Sequence, residues 1–184
     1  MRSWLAAPGS LSAHLRAVGG LFTVQVLDQG RRAMREHEAR ALNWARSRVA
    51  YVREVMLRVD GEPVVFARSV TPHAQSQGAW RAIRGLGARP LADLLFGRAG
   101  MARTTLEFAR LPPGSPMRHH VAQHWRRAGG GAPMRRSLPA RRSVFTRQGL
   151  RLLVMEVFAA QRNPWGWAVS RRRVAPNEPS RTLS

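Results

Sequence analysis

From residue 48 to residue 70 the chain reads RVAYVREVMLRV, then DGEP, then VVFARSV: two long runs rich in valine on either side of a tight-turn tetrapeptide. β-Branched runs of this length favour extended backbone, and Asp60-Gly61-Glu62-Pro63 supplies turn chemistry between them. A long antiparallel hairpin is therefore the element around which the rest must pack. Successive side chains of a strand point to opposite faces, and here charge interrupts the apolar rows. Val49, Tyr51, Val55, Leu57 and Val59 share a face with Arg53, and Val64, Phe66 and Val70 share one with Arg68. A third row lies near the end of the chain, where Leu152, Val154 and Phe158 share a face with Glu156. A charge left alone in an apolar interior costs several kcal/mol. Arg53, Arg68 and Glu156 are thus expected to pair with one another, or to line a polar cavity, unless the faces are misassigned. Such a cavity suits a ligand with a carboxylate for the guanidinium fork and a hydroxyl for the glutamate.

The remaining text supplies elements for one sheet and its cover. Leu11, Leu15 and Val18 recur at helical spacing after Ser10, with Gly19-Gly20 as a stop, and Phe22, Val24 and Val26 alternate like a strand. Residues 31–42 are charged and compatible with a helix. Trp80 and Ile83 suit a helix over 78–86, and Pro90 opens a second one carrying Leu91, Leu94 and Leu95. Residues 104–111 form a further strand candidate. Residues 112–140 hold five of the twelve prolines and Gly129-Gly130-Gly131, which predicts a long loop enclosing a helix over 117–127. Residues 143–147 and 150–158 make a closing hairpin about Gln148-Gly149. Six strands joined mostly by hairpins, with helices inserted between them, predict a single α+β domain over 1–160 built on a six-stranded antiparallel sheet. Residues 161–184 turn polar and arginine-rich and are expected to be a frayed tail, with Trp165 and Trp167 able to pin part of it back.

Composition removes several functional classes. Among 184 residues there is no cysteine, which excludes thiolate nucleophiles, disulfides and CxxC sites, and all 31 basic residues are arginine, which excludes a lysine base or Schiff base. The net charge of +21 gives a large positive field. Total exclusion of lysine reads as a coding bias on ordinary surface positions, so no specific nucleic-acid partner is expected despite arginines interleaved with Trp125, Trp165 and Trp167. No apolar run reaches the roughly 20 residues of a membrane helix, and Pro8, Gly9, Ser10 and Ser12 interrupt any signal-peptide core, so a cytoplasmic location is the default expectation. His119, His120 and His124 include an i,i+4 pair, but the glutamate of HExxH is missing and no carboxylate lies nearby in sequence, so no metal is expected.

Five segments carry a resemblance: VREVMLRVDGEPVVFARSVTP at 52–72, WRAIRGLGARPLADLLF at 80–96, LEFARL at 106–111, ARRSVF at 140–145 and GLRLLVMEVF at 149–158. Together they resemble the chorismate lyase family of ubiquinone biosynthesis over about half the chain. The resemblance implies a six-stranded antiparallel sheet with a closed internal pocket, and release of pyruvate from chorismate to leave 4-hydroxybenzoate, without cofactor. It implies that Arg53, Leu91 and Glu156 hold the aromatic product, with Arg68 as a second anion-binding candidate and Leu11 as an apolar pocket residue. Arg53, Arg68 and Glu156 are its candidate catalytic residues, and a monomer is expected. Effector domains of transcription regulators are similar in fold and bind small acids without turning them over. They follow a winged-helix domain, for which residues 1–21 are too short.

Overall fold

The computed structural model describes residues 5–7, 9–18, 20–45, 48–96, 100–131 and 137–158. The tail expected over 161–184, with Trp165 and Trp167, lies outside the described residues. Seven strands form one antiparallel sheet: β1 (Phe22–Ala33), β2 (Val49–Val59), β3 (Glu62–Pro72), β4 (Met101–Arg103), β5 (Glu107–Leu111), β6 (Leu138–Arg147) and β7 (Leu150–Phe158). Their order is β1-β2-β3-β7-β6-β4, with β5 also pairing β6, so the sheet is open rather than closed into a barrel. Helices α1 (Leu11–Val18), α2 (Glu36–Ala41), α3 (Ala92–Leu95) and α4 (Pro116–Arg127) and two 3₁₀ turns, Gln75–Gln77 and Arg81–Gly85, complete the described domain.

Seven strands stand where six were expected, because Met101–Arg103 pairs with residues 145–147 as a short strand of its own. Strand β1 is longer than its alternating core of Phe22, Val24 and Val26 suggested. It runs on through charged residues to Ala33, which pairs with Val49 at the start of β2, with one bulge between Val26 and Asp28. That leaves only six residues of the charged stretch for α2. Likewise β6 starts at Leu138 inside the expected loop, held by β5 on one side and β7 on the other. The turn at Gln148 and Gly149 forms as read, with φ of 51° and 72°, whereas the first turn is tighter than the expected tetrapeptide: Asp60 and Gly61 have φ of 50° and 82°, and Glu62 and Pro63 already belong to β3. Positive φ at both central positions gives the hairpin turn whose twist matches the strands.

The two faces of the sheet are covered by different elements. On one face Val55, Leu57 and Ala67 pack with Leu11 and Leu15 of α1, while Tyr51, Phe145 and Leu152 pack with Trp80, Ile83, Leu91, Leu94 and Leu95. On the other face Met56, Phe66 and Val157 meet Met117, Val121 and Trp125 of α4, and Val52, Val70 and Leu153 meet Met34, Ala39 and Leu42 around α2. Ser115 caps α4 by accepting from the Arg118 amide, and Pro116 follows at the first helical position, where a missing N–H costs nothing.

One irregularity decides the chemistry of the faces. Val59 pairs with Glu62 and Arg58 with Pro63, but Leu57 then pairs with Val65, so Val64 is an extra residue in β3. Without this bulge Arg53 would stand opposite Arg68; with it, Arg53 stands opposite Ser69 and Arg68 opposite Glu54. A one-residue register change moves a side chain to the other face of a sheet. Arg68 is therefore corrected: it lies on the face opposite Arg53 and cannot share a cavity with it.

Candidate active site

A pocket on the α1 face is lined by Arg53 of β2, Glu156 of β7, Leu91 at the start of α3 and Leu11 of α1, four of the five residues singled out in the sequence. Its unfilled space is about 570 Å³, part of it open to solvent. Register places the polar side chains. Arg53, Ser69, Val154 and Ser143 stand in one row across four strands, and Val55, Ala67, Glu156 and Arg141 in the next. Leu11, Val55, Leu91 and Phe145 give the pocket apolar walls.

Arg53 is 2% exposed. Its Nη2 donates to the carbonyls of Gly87 at 2.9 Å and Arg89 at 3.0 Å, which hold the guanidinium against the loop that leads into Leu91. Gly87 takes a φ of +53° in that loop, a conformation that costs a glycine nothing. Arg53 Nε is buried with no hydrogen-bond partner, and among the described residues no carboxylate pairs with this arginine. Burial accordingly lowers its pKa from the ordinary value, with Tyr51 pulling weakly the other way. A buried guanidinium without an anion is costly, and the pocket is where an anion would relieve it.

Glu156 accepts from Arg141 Nε through Oε2 at 2.5 Å, and its Oε1 accepts no hydrogen bond among the described residues. Arg141 is 2% exposed and also donates from Nη1 to the carbonyls of Leu5 and Ala7, so it ties the segment before α1 to the sheet. Arg103 of β4 completes the rim. Its guanidinium lies over the Phe96 and Phe145 rings, its Nε donates to Ser143 Oγ at 3.0 Å, and no carboxylate bridges it among the described residues. Burial, and then the nearby Arg141, lower its pKa, against the opposite pull of Glu156.

Arg141 and Arg103 were not legible as site residues. The stretch PARRSVFTR of β6 alternates two adjacent arginines with small residues and gives no local sign of which one points inward, and Arg103 sits on a three-residue strand with no periodicity.

The face opposite the pocket holds a separate buried network. Arg68 forks onto Glu38 of α2, Nε to Oε1 at 2.6 Å and Nη2 to Oε2 at 3.1 Å, and reaches Glu54 Oε1 through Nη1 at 2.6 Å. Glu38 also caps α2 by accepting from the Arg35 amide. All three charged residues are nearly inaccessible, at 5%, 1% and 1% for Arg68, Glu38 and Glu54. Arg68 thus has two carboxylates of its own and no place in the pocket. Burial by itself would raise the Glu54 carboxyl, but hydrogen bonds from His120 and Arg68 outweigh it and hold the group at about 2. No group of metal-ligating side chains lines the pocket among the described residues; the one such group is Glu54, His120 and His124, on the far face.

A family model described as chorismate lyase matches residues 1–165. The chain is 58% identical over 181 residues to a protein of Albidiferax ferrireducens named probable chorismate pyruvate-lyase, covering 98% of this chain and 92% of that one. A protein of Pseudomonas fluorescens named probable chorismate pyruvate-lyase 1 is 39% identical over 155 residues, 84% of this chain and 80% of that one. Among solved structures, the effector domain of PhnF from Mycobacterium smegmatis shares the fold with a TM-score of 0.56 at 19% identity, over 84% of this chain and 90% of that one. The ligand-binding domain of a GntR-family regulator from Bordetella bronchiseptica shares it with a TM-score of 0.52 at 17% identity, over 78% and 90%. At these identities the solved structures establish the fold, whereas the family model and the relatives establish descent, and the chain belongs to the chorismate lyase family.

Proposed function

We propose that this protein is a chorismate pyruvate-lyase, converting chorismate to 4-hydroxybenzoate and pyruvate without a cofactor. The observation that carries the reading is Arg53: a buried guanidinium with an unpartnered Nε and, among the described residues, no carboxylate, facing a pocket that also holds Glu156. Chorismate has two carboxylates, a ring hydroxyl and an enolpyruvyl ether. The ring carbon–oxygen bond to the enolpyruvyl unit breaks, a ring proton leaves, and the ring becomes aromatic. The atoms of chorismate then divide between 4-hydroxybenzoate and pyruvate with no oxidant, reductant or water consumed. Aromatisation supplies the driving force, so the protein has to position the substrate and stabilise its charge in a dry site.

In this reading the Arg53 fork takes the ring carboxylate and Glu156, through the oxygen that Arg141 leaves open, accepts from the ring hydroxyl. Leu91 and Leu11 shape the slot for the ring. The second carboxylate, on the enolpyruvyl unit, falls to Arg103, the other pocket arginine without a carboxylate among the described residues, and no longer to Arg68. Arg141 acts through Glu156, as a positioning residue that fixes the rotamer of the carboxylate. The reaction takes place in the cytoplasm, in a pocket closed around the substrate, as an early step of ubiquinone biosynthesis carried out by a monomer.

Purified protein mixed with chorismate should release 4-hydroxybenzoate and pyruvate in equal amounts. Absence of both products, with 4-hydroxybenzoate still binding, would instead make it a sensor of the kind its fold relatives suggest. Two variants test the assignment within the pocket. Glu156→Gln keeps an acceptor for Arg141 but not the charge, and should lose most turnover while melting within a few degrees of wild type. Normal turnover removes Glu156 from the site. Arg103→Gln should raise KM about tenfold or more, the loss of one hydrogen bond to a charged group being worth about 1.5–3 kcal/mol, with kcat less affected. An unchanged KM returns Arg103 to packing on Phe96 and Phe145.

A further inference from the structure

The i,i+4 histidines of α4, which the sequence left without a carboxylate, find one in space. Glu54 of β2 is adjacent to Arg53 in the chain but points to the opposite face, where α4 lies across the sheet. His120 Nε2 is 2.8 Å from Glu54 Oε1 and 2.9 Å from Oε2, and His124 Nε2 is 3.4 Å from Oε2. The ligand atoms of all three residues lie within 4.8 Å of one another.

We propose that Glu54, His120 and His124 bind a divalent transition-metal ion of the zinc class, which pins α4 to the sheet on the face opposite the pocket. A tetrahedral ion with bonds near 2.0–2.2 Å sets neighbouring donor atoms about 3.3–3.5 Å apart, so two of the three separations need only small side-chain rotations. His120 reaches both oxygens of Glu54, and His124 reaches Oε2. Arg68 Nη1 holds Oε1, which leaves Oε2 toward both histidines for a one-oxygen bond to the ion. A cation that hydrogen-bonds the non-ligating oxygen orients a carboxylate ligand, and Arg68 is itself anchored by its fork on Glu38.

The histidines are oriented too. Phe66, fully buried, lies with its ring centroid 5.9 Å from each imidazole, edge-on to His120. Two imidazole nitrogens and one carboxylate oxygen form the three-ligand set that zinc accepts with water as the fourth ligand. The His120 side chain is 26% exposed against 1% for Glu54, so the fourth position faces solvent and gives the ion a way in. His119, one residue away, points elsewhere and hydrogen-bonds to the Ser115 carbonyl.

The test uses the full chain, stripped with a chelator and titrated with zinc by calorimetry and with cobalt(II) by visible absorption. One equivalent of metal should bind, cobalt should give the intense d–d bands of a tetrahedral site, and zinc should raise the melting temperature. The His120→Gln/His124→Gln double variant keeps amides able to donate to Glu54 and should lose both the bands and the rise. The His119→Gln variant should retain them. Absence of binding in wild type overturns the proposal and leaves a plain hydrogen-bonded cluster; equal binding by the double variant overturns it by placing the metal elsewhere. Because these readouts do not involve chorismate, they stand or fall separately from the lyase reading.

Discussion

Replacing Arg53 with methionine should lower kcat/KM for chorismate by about 10²–10⁴-fold without lowering the stability of the free protein. The first half follows from chemistry: a guanidinium fork on a carboxylate in a buried site makes two charge-assisted hydrogen bonds, each worth about 1.5–3 kcal/mol, and every 1.4 kcal/mol is tenfold. The second half follows from the unliganded geometry. Arg53 bears the desolvation cost of a buried charge, gains two backbone carbonyls in return, and has no anion among the described residues. Methionine removes the charge and fills a similar volume, so the melting curve should stay where it is or move up. The companion variant Arg53→Lys keeps the charge but offers a point instead of a planar fork, and should weaken 4-hydroxybenzoate binding by about 1.5–3 kcal/mol. Equilibrium titration with the product measures this directly. A large loss of stability in Arg53→Met, with residual activity intact, would make the residue part of the scaffold and take away the main support for the lyase site.

Arg68→Met should do the reverse. Two carboxylates, Glu38 at 1% and Glu54 at 1% exposure, converge on this one guanidinium. Its removal leaves Glu38 to the Arg35 amide and Glu54 to the two histidines, each without its guanidinium, and breaking a buried ion pair from one side costs about 3–5 kcal/mol. Urea unfolding should show that loss as a lower midpoint with an unchanged slope. Whatever protein remains folded should turn over chorismate with close to normal KM, since the residue lies on the face away from the pocket. A variant as stable as wild type but unable to bind substrate would mean that Arg68 reaches the pocket after all and that the bulge at Val64 has been assigned too much. The pair of variants separates two arginines that look equivalent in the sequence, each a charge in an apolar row of the same hairpin.

That equivalence shows where sequence reading stops. Alternation along one strand is a local property, which is why Arg53 and Glu156 could be read as inward charges, why Asp60-Gly61 and Gln148-Gly149 could be read as hairpin turns, and why an antiparallel α+β sheet was legible. The resemblance to the family added Leu91 and Leu11 as pocket residues, where the pattern marked them only as apolar helix positions. Which charges meet is not local. It depends on the register between strands, and one extra residue, Val64, sends Arg68 to the far face and puts Ser69 opposite Arg53. Unbroken register across the β6–β7 hairpin aligns Arg141 with Glu156, and the docking of α4 brings Glu54 to histidines 66 and 70 positions further along the chain. The sequence by itself therefore determined six of the seven strands, their hairpin turns and the faces within each strand, but not β4 or the full extent of β1 and β6. The tertiary structure alone decided which faces lie together, because cross-strand register and helix docking are set by the packing of the whole sheet and leave no periodic trace in any one segment.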